Sequence, residues 1–273
     1  MRAKRFVAPL ILLGLTVWAW TGIQVSTRRI GYVPQALSDF ATLAWPPESS
    51  APFLAVVGSG LVETLQIAFL ATLFGAALSL PLGLVASRNL SAAWLVVPAR
   101  FFAAAIRVMP SLLWALLAVI ILGAGPVAGV AAMTFYTVGY LSKLQYETFE
   151  GLPRDALEAV RAMGVGRFTQ AWHVALPEAG NALRSQLLFM LEYNVRASSI
   201  IGLVGAGGIG LELARASRFL DYSRVLTILV ALYITVVLMD LASMWLRARF
   251  LELGDAPRRP WPRVVPQRRE RSG

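Results

Sequence analysis

The sequence predicts an all-α, polytopic membrane protein with about six transmembrane helices. Hydrophobic residues make up 57% of the 273-residue chain and charged residues only 15%, whereas ordinary soluble domains carry about 25% charge. Several apolar runs approach or exceed the roughly 18–20 residues that span a bilayer. The basic residues lie mainly at the ends of these runs, which is where membrane topology signals belong.

The amino-terminal region, residues 1–57, is predicted to form one transmembrane helix and an external connection. Arg2, Lys4 and Arg5 precede an apolar run at 6–23, a pattern that secretory signal peptides share. No small-residue cleavage site follows the run cleanly, so we interpret it as a retained first helix whose amino terminus is inside. Residues 24–57 contain four prolines and balanced charges, which favours an outside connection.

Residues 58–248 hold the remaining predicted spans. The second span is about Gly58–Ala86 and the third about Phe101–Leu122. The connection between them and the start of the third span carry basic residues and no acidic one: Arg88, Arg100 and Arg107. Such a charge bias indicates the inside of the membrane. Because Arg107 and Pro110 fall in the first turns of the third span, that end is expected to be solvated or paired.

The later segments follow in chain order: a fourth span at about 127–144, a polar segment at 145–178, a fifth span at about 182–204, an outside connection at 205–224 and a sixth span at about 225–246. Alternation places the polar segment and both termini in the cytoplasm. The tail at 249–273 is strongly basic, and we expect it to be attracted to anionic lipid. Since the charge follows the topology, nucleic-acid binding is not predicted.

The polar segment at 145–178 predicts two short helices that meet at Gly164. Glycine weakens a helix interior and permits backbone conformations that other residues avoid. A second short helix, from about Arg167 to Trp172, is predicted to end before Pro177. Two short helices joined in this way would form a compact surface that a soluble partner can hold.

The same segment resembles the EAA motif, the coupling loop of ABC-importer permeases. The matching residues are Glu158, Ala159, Gly164, Leu176 and Pro177, while valines replace one alanine and the isoleucine of the motif. The resemblance implies a type I ABC importer (MetI-like) permease fold over residues 58–248. It also implies that the loop docks into a groove of an ATP-binding subunit. The alternative is an ordinary amphipathic cytoplasmic loop.

A glycine run follows the fifth predicted span. Gly205, Gly207 and Gly210 have the spacing of a dinucleotide-binding fingerprint, which requires a preceding strand, a following helix and a surrounding sheet. Because this run stands between two membrane spans, we interpret it as a break in the fifth helix. Exposed backbone at membrane depth is tolerated only against protein or a water-filled path, and transporters place substrate contacts beside broken helices.

Charged residues inside the fifth span suggest a function. Glu192 and Arg196 are spaced i, i+4 and can pair on one helix face, and intramembrane charges are functional candidates by default. With the glycine run, this stretch resembles the permease of phosphonate importers over most of residues 60–249. The resemblance implies a path for phosphonate or a related phosphorus oxyanion, for which arginine and serine hydroxyls are suitable contacts.

The candidate path residues are Glu192, Asn194, Arg196, Ser198, Ser199, Gly205, Gly207, Gly208 and Gly210. In the alternative interpretation, Glu192 and Arg196 only hold the bundle together. Asp240 in the sixth span is expected to pair with Arg196 or with another arginine of a neighbouring helix.

The sequence contains no Gly-Lys-Ser/Thr phosphate loop, so the chain is expected to hold no cofactor and to leave ATP and Mg²⁺ to a partner. The resemblance implies a homodimeric cytoplasmic ATP-binding subunit, an external solute-binding protein and a second copy of this chain in a bacterial inner membrane. The absence of cysteine and the single histidine argue against a metal site and against catalysis by this chain.

Three alternative functions stay open: an ion-driven secondary carrier, a membrane-embedded enzyme and a permease of another ABC importer, such as a methionine-type one. A secondary carrier favours inverted internal repeats, and it leaves the polar segment unexplained. The glycine run is shared with methionine-type permeases, so it does not separate them from phosphonate importers.

Overall fold

The computed structural model describes residues 4–23 and 30–250, and within these ranges the chain is helical without a strand. The helices are α1 Lys4–Gly22, α2 Val33–Ala44, α3 Ala51–Ala86, α4 Ala93–Val108, α5 Ser111–Leu122, α6 Pro126–Glu150, α7 Arg154–Ala162, α8 Arg167–Gln170, α9 Leu176–Ile201, α10 Ile209–Arg218 and α11 Tyr222–Phe250. A π-helical turn at Ala171–Ala175 joins α8 to α9, and a 3₁₀ turn at Gly202–Val204 follows α9. The predicted all-α fold is confirmed.

Three described segments are individually long and apolar enough to cross a membrane: Ala51–Ala86, Arg167–Val204 and Tyr222–Arg249. They correspond to the second, fifth and sixth predicted spans. Helix α1 covers the first predicted span, and its residues 9–22 are all exposed. The fourth predicted span lies in α6, whose 25 residues are enough for a bilayer at about 1.5 Å per residue. Helix α6 packs against α3, α4, α5 and α9.

The third predicted span, over 101–122, is not one continuous helix, although Ala93–Val108 and Ser111–Leu122 together are long and apolar enough to cross a membrane. Helices α4 and α5 are separated by a break and meet at an angle of 88°. Met109 between them is extended, with φ −89° and ψ 130°, because a residue before proline avoids the helical region. Pro110 therefore produces the bend, and Arg107 lies in the last turn of α4 rather than in the first turns of a span.

The prediction of a helix end before Pro177 is wrong, and the helix that contains the fifth predicted span begins well before residue 182. The helical path runs without a sharp break from Arg167 to Val204. Pro177 lies in the first turn of α9, directly after the π-helical turn. A π turn shifts the hydrogen-bond register by one residue, which accommodates a residue that has no backbone N–H.

Close helix crossings in the bundle depend on glycine. A Cβ atom at Gly83 of α3 would lie 2.9 Å from Gln145 of α6, and one at Gly139 of α6 would lie 2.7 Å from Ile106 of α4. In lipid, where apolar burial alone does not drive helix association, small residues at crossings let backbones approach closely. These crossings hold α6 against α3 and α4, and α9 in turn packs against α3 and α6.

Candidate functional site

The break between α7 and α8 lies at Gly164, as the sequence predicts. Gly164 has φ +76°, a conformation that side chains rarely adopt, and a Cβ atom there would meet nothing within 4 Å. The position therefore requires glycine for its backbone conformation and not for lack of space. The result is a sharp turn in an exposed part of the chain.

Helix α7 is tied to the rest of the protein by Arg161. Its Nη2 donates to the backbone carbonyl of Asn89, in the connection between α3 and α4, and its Nε donates to Oε1 of Gln170 at 3.4 Å. Gln170 is only 2% exposed and donates to the carbonyl of Val165 at 2.6 Å. The short helices are thus linked to each other and to the α3–α4 connection.

Apolar and charged contacts extend this anchor. Leu157 of α7 is buried in a cluster with Leu90, Phe149 and Ala175. At the end of α6, Glu150 accepts from the backbone N–H of Arg88 at 2.7 Å and pairs with Arg100 of α4 at 2.5 Å. The buried side of the segment is fixed on α3, α4 and α6, so it is held as a rigid unit.

The opposite side of this segment faces outward, and we call it the loop surface. Its exposed residues are Glu158, Ala159, Met163, Gly164, Phe168, Trp172 and Pro177, while Leu176 is half-buried. Phe168 is 81% exposed and Trp172 58%. Glu158 also borders a polar depression of about 200 Å³ with Asn89 and Arg161. Exposed aromatic residues among charged ones are typical of a protein-binding surface.

Glu158 and Gly164 are predicted from the sequence as residues of this surface, whereas Arg161, Gln170, Phe168 and Trp172 are not. The alternation of charged and aromatic residues through the segment is the pattern from which an exposed binding surface could have been predicted. The contacts of Arg161 could not be predicted, because Asn89 is far away in the sequence.

The glycine run at the other end of α9 is packed against α3. Gly205, Gly207 and Gly208 have φ values of +92°, +83° and +71°. Glu63 accepts a hydrogen bond from the backbone N–H of Gly208 at 3.1 Å, and Oγ1 of Thr64 accepts from that of Ile209 at 2.8 Å. These two side chains satisfy backbone donors at the amino terminus of α10, where a carboxylate is also favoured by the helix dipole.

There is almost no free space around the run. A Cβ atom at Gly208 would lie 2.6 Å from Oγ1 of Thr64, and one at Gly210 would overlap the carbonyl of Ser199. Gly207, Gly208 and Gly210 are buried, and Gly205 is half-buried. Within the single chain, the run contacts protein rather than an open path.

The remaining candidate path residues divide into a buried and an exposed group. Asn194 is fully buried and donates to the hydroxyls of Thr72 at 2.8 Å and of Thr137 at 3.0 Å, which links α9 to α3 and α6. The hydroxyls of Ser198 and Ser199 are buried and bond to carbonyls within α9. Arg196 alone among these side chains is half-exposed.

Arg196 belongs to a cluster of four charged residues between α9 and α11. Its Nη2 lies 3.9 Å from carboxylate oxygens of both Glu192 and Asp240, so the expected pairings are present. Glu192 also binds Nη2 of Arg247 at 2.5 Å. The cluster carries two positive and two negative charges, a balance that such depth requires. Arg247 is not predicted from the sequence, because it follows the sixth predicted span at 225–246 and its contact with Glu192 joins distant parts of the chain.

The chain is a bundle of apolar helices. Its anchored, aromatic-rich loop surface leads into the helix that carries intramembrane charges. This is the architecture of a membrane-spanning transport subunit. Residues 79–251 match the family described as "Binding-protein-dependent transport system inner membrane component". The chain belongs to this family. The predicted membership of an ABC-importer permease family is therefore confirmed.

Similar proteins agree with this assignment. The chain is 31% identical to the phosphate-import permease protein PhnE of Mycolicibacterium smegmatis, over 88% of this chain but only 42% of that one. It is also 31% identical to the putative phosphite transport system permease protein HtxC of Stutzerimonas stutzeri, over 92% of this chain and 89% of the relative. A chain of the MetNI methionine ABC transporter in an inward-facing conformation matches with a TM-score of 0.65 and 25% identity, over 74% of this chain and 99% of that chain. The predicted MetI-like fold is confirmed.

Proposed function

We propose that this chain forms the translocation path of an ABC importer for phosphonate or a related phosphorus oxyanion, such as phosphite or a phosphate ester. The names of the two relatives, a phosphate-import and a phosphite permease, support this substrate class. The structural observation that carries the proposal is the loop surface, which continues through an unbroken helical path into the helix that bears Arg196. A force applied to this surface would reach the middle of the bundle.

The loop surface is the proposed docking site of a cytoplasmic ATP-binding subunit. Phe168 and Trp172 are exposed enough to enter a groove on a soluble partner, and buried aromatic residues commonly dominate such interfaces. We propose that the partner is a homodimer that binds ATP and Mg²⁺, so this chain has no catalytic role. One loop surface per chain then requires a second copy of this chain.

The proposed topology follows from the position of the loop surface. With that surface in the cytoplasm, both termini are cytoplasmic and the glycine run faces the opposite side of the inner membrane, where an external solute-binding protein would deliver the substrate. The basic tail at 249–273 lies outside the described residues beyond Phe250, where α11 ends. Its attraction to anionic lipid stays a prediction.

The candidate path residues would contribute to the path in different ways. Arg196 is half-exposed and can contact an anion directly. Asn194, Ser198 and Ser199 are buried, so they would shape the path by holding α9 in place. The glycine run would act as a compact packing element that keeps the end of α9 against α3.

Uptake into proteoliposomes tests the proposal. This chain is reconstituted with its candidate ATPase and binding protein, and uptake of labelled methylphosphonate, phosphite and phosphate is measured with and without ATP. We expect ATP-dependent uptake of at least one of them and its loss in a Gly164→Val variant present at normal abundance. Unchanged uptake in that variant would remove the loop surface from coupling, and failure of the ATPase to associate would contradict the importer itself.

A methionine-type importer is the second candidate, because a chain of the MetNI methionine ABC transporter shares the fold. Labelled methionine in the same vesicles separates the two. Methionine uptake without phosphorus oxyanion uptake would keep the importer and replace the substrate.

A further inference from the structure

Arg107 is a charged residue near the middle of the bundle that has no acidic partner within 4.0 Å among the described residues. A Cβ atom at Gly139 of α6 would lie 3.1 Å from Cγ of Arg107, so the two helices meet at this level. Position 139 is close to the centre of the 25-residue α6, roughly 16–20 Å from either end at about 1.5 Å per residue. An arginine at such depth is expected to face protein, water or a ligand.

The other arginines at comparable positions are compensated. Arg196 and Arg247 share the carboxylates of Glu192 and Asp240, and that cluster is neutral as a whole. Arg107 therefore supplies a positive charge that the described part of the chain does not balance. An anion that reaches Arg107 would therefore meet a positive charge that no neighbouring carboxylate among the described residues neutralises.

The surroundings of Arg107 are aromatic and carry hydroxyl groups. Its guanidinium lies 5.5 Å from the ring centre of Tyr140, a cation–π contact. Tyr140 stacks on Tyr193 with ring centres 6.4 Å apart, and Tyr193 stacks on Tyr136 at 5.3 Å. All three tyrosines are half-buried. Tyr136 and Tyr193 share a side-chain hydrogen bond, and the hydroxyl of Tyr140 is a possible donor to an oxyanion.

Tyr140 also lines a cavity of about 430 Å³ between α6 and α9. Ser185, Gln186 and Arg247 border the same cavity, together with the apolar residues Leu144, Ala182 and Phe189. Nε of Arg247 and Oε1 of Gln186 are buried and have no hydrogen-bond partner among the described residues, whereas Nη2 of Arg247 is held by Glu192. Since buried polar groups in folded proteins are almost always paired, the cavity offers an unused donor and an unused acceptor to a bound molecule.

We propose that the cavity lined by Tyr140 and Arg247, together with Arg107 against the ring of Tyr140, is a binding site for a small tetrahedral oxyanion on the translocation path. The proposal rests on the proposed function and adds the place where the substrate is contacted. The guanidinium of Arg107 supplies charge and a fork of donors that matches oxyanion geometry, and the hydroxyl of Tyr140 and Nε of Arg247 supply further donors. Gly139 is required because any side chain there would displace α4 and with it Arg107.

An Arg107→Gln variant tests the site, with Arg184→Gln as its matched control. Arg184 is exposed and donates only to nearby Asn181. In proteoliposomes with ATPase and binding protein, we expect Arg107→Gln to lower the maximal rate of labelled methylphosphonate or phosphate uptake at least about tenfold. ATPase stimulation by the loaded binding protein and the binding-protein concentration for half-maximal uptake should not change, which a purely structural role would not predict. Arg184→Gln should transport as the wild type does.

Two conservative variants keep the proposal testable if Arg107→Gln does not assemble. Arg107→Lys retains the charge without the fork and should transport at an intermediate rate, and Tyr140→Phe should lower the rate about threefold through loss of one hydroxyl donor. Uptake at the wild-type rate in Arg107→Gln, or in both conservative variants, would overturn the proposal.

Anion binding without transport separates this proposal from the proposed function. The purified chain is heated with inorganic phosphate or with sodium chloride of equal ionic strength. We expect phosphate to raise the unfolding temperature of the wild type and not that of Arg107→Gln. If the wild type takes up no phosphorus oxyanion but keeps this shift, the proposed function fails and the anion site stands. Equal shifts in both proteins, or none in either, would contradict the site.

Discussion

The two ends of α9 are built in opposite ways. At the end that bears the loop surface, Gly164 stands in open space, and Phe168 and Trp172 project outward. At the other end, the glycine run is surrounded by protein, and added atoms at Gly208 or Gly210 would strike Thr64 or the backbone of Ser199. Glycine is needed at the loop-surface end because of its backbone conformation, and at the other end mainly because there is no space for a side chain.

This difference indicates how the helix can transmit a force. One end is available to a partner yet anchored on its inner side by Arg161 and Leu157. The other end is locked to α3 through Glu63 and Thr64. Between them lie Asn194, which joins three helices, and the charged residues at the cavity. In the proposed function, a movement that begins at the loop surface would therefore displace the middle of the bundle.

The largest effect is expected from Gly210→Val. Its Cβ would overlap the carbonyl of Ser199 and lie 2.8 Å from Cα of Gly202, and neither backbone can move away. We expect a loss of about 3 kcal/mol or more in the free energy of unfolding, measured as thermal stability of the detergent-purified chain. The control is Gly166→Val at the loop end, where nothing lies within 4 Å and a change within about 0.5 kcal/mol is expected. Similar losses in both variants would abolish the contrast between the ends.

Thr64→Val should have the next largest effect. Thr64 is 1% exposed, and its hydroxyl accepts from the N–H of Ile209 at 2.8 Å. Valine keeps the shape but leaves that buried N–H without its acceptor, which costs about 2 kcal/mol. Thr21→Val on α1, an exposed threonine with only a local bond to Val17 and Trp18, serves as the comparison in the same unfolding measurement. A stable Thr64→Val protein would mean that α10 does not depend on this cap.

Gly164→Val should affect coupling more than stability. A β-branched residue at φ +76° costs roughly 1–2 kcal/mol, and the turn between α7 and α8 would change direction. We expect the ratio of substrate transported to ATP hydrolysed to fall at least about tenfold while the bundle stays folded. Asparagine tolerates this backbone region, so Gly164→Asn should recover much of the ratio, and its failure to do so would argue against a conformational role for Gly164.

The smallest effect on stability is expected at Arg161. Arg161→Ala removes hydrogen bonds to Asn89 and Gln170 on a partly exposed surface and should cost about 1 kcal/mol. In a double-mutant cycle with Gln170→Ala, we expect a coupling energy of about 0.5 kcal/mol or more. Strict additivity in this cycle would show that Arg161 and Gln170 act independently.

Much of the fold could be predicted because apolar run length and charge bias are local properties of the sequence. The predictions failed where a proline acts through its neighbours. Pro110 bends the chain at Met109 and splits a predicted span, whereas Pro177 does not end a helix because a π-helical turn precedes it. The same residue type thus has opposite outcomes, and only the surrounding backbone decides between them.

The candidate site was predictable to the extent that it is a contiguous motif. Glu158 and Gly164 follow from their spacing, and Glu192 with Arg196 follows from helical periodicity. Glu63, Arg161 and Arg247 have hydrogen-bond partners far away in the sequence. Arg107 likewise contacts α6, which is distant from it in the sequence. Those contacts come from tertiary packing, which no local pattern specifies.

We would test whether the loop surface is the docking site by measuring how tightly the ATP-binding subunit binds two variants, Phe168→Ala and Phe219→Ala. Phe168 on the loop surface and Phe219 after α10 are 81% and 84% exposed, so truncation to alanine costs the folded chain little in either case. For the chain in lipid nanodiscs, we expect Phe168→Ala to weaken ATPase binding by about 2 kcal/mol, roughly thirtyfold in Kd. Phe219→Ala should bind as the wild type does. Wild-type affinity in Phe168→Ala would contradict docking at the loop surface, and weakened binding in Phe219→Ala would place the partner at the other end of α9.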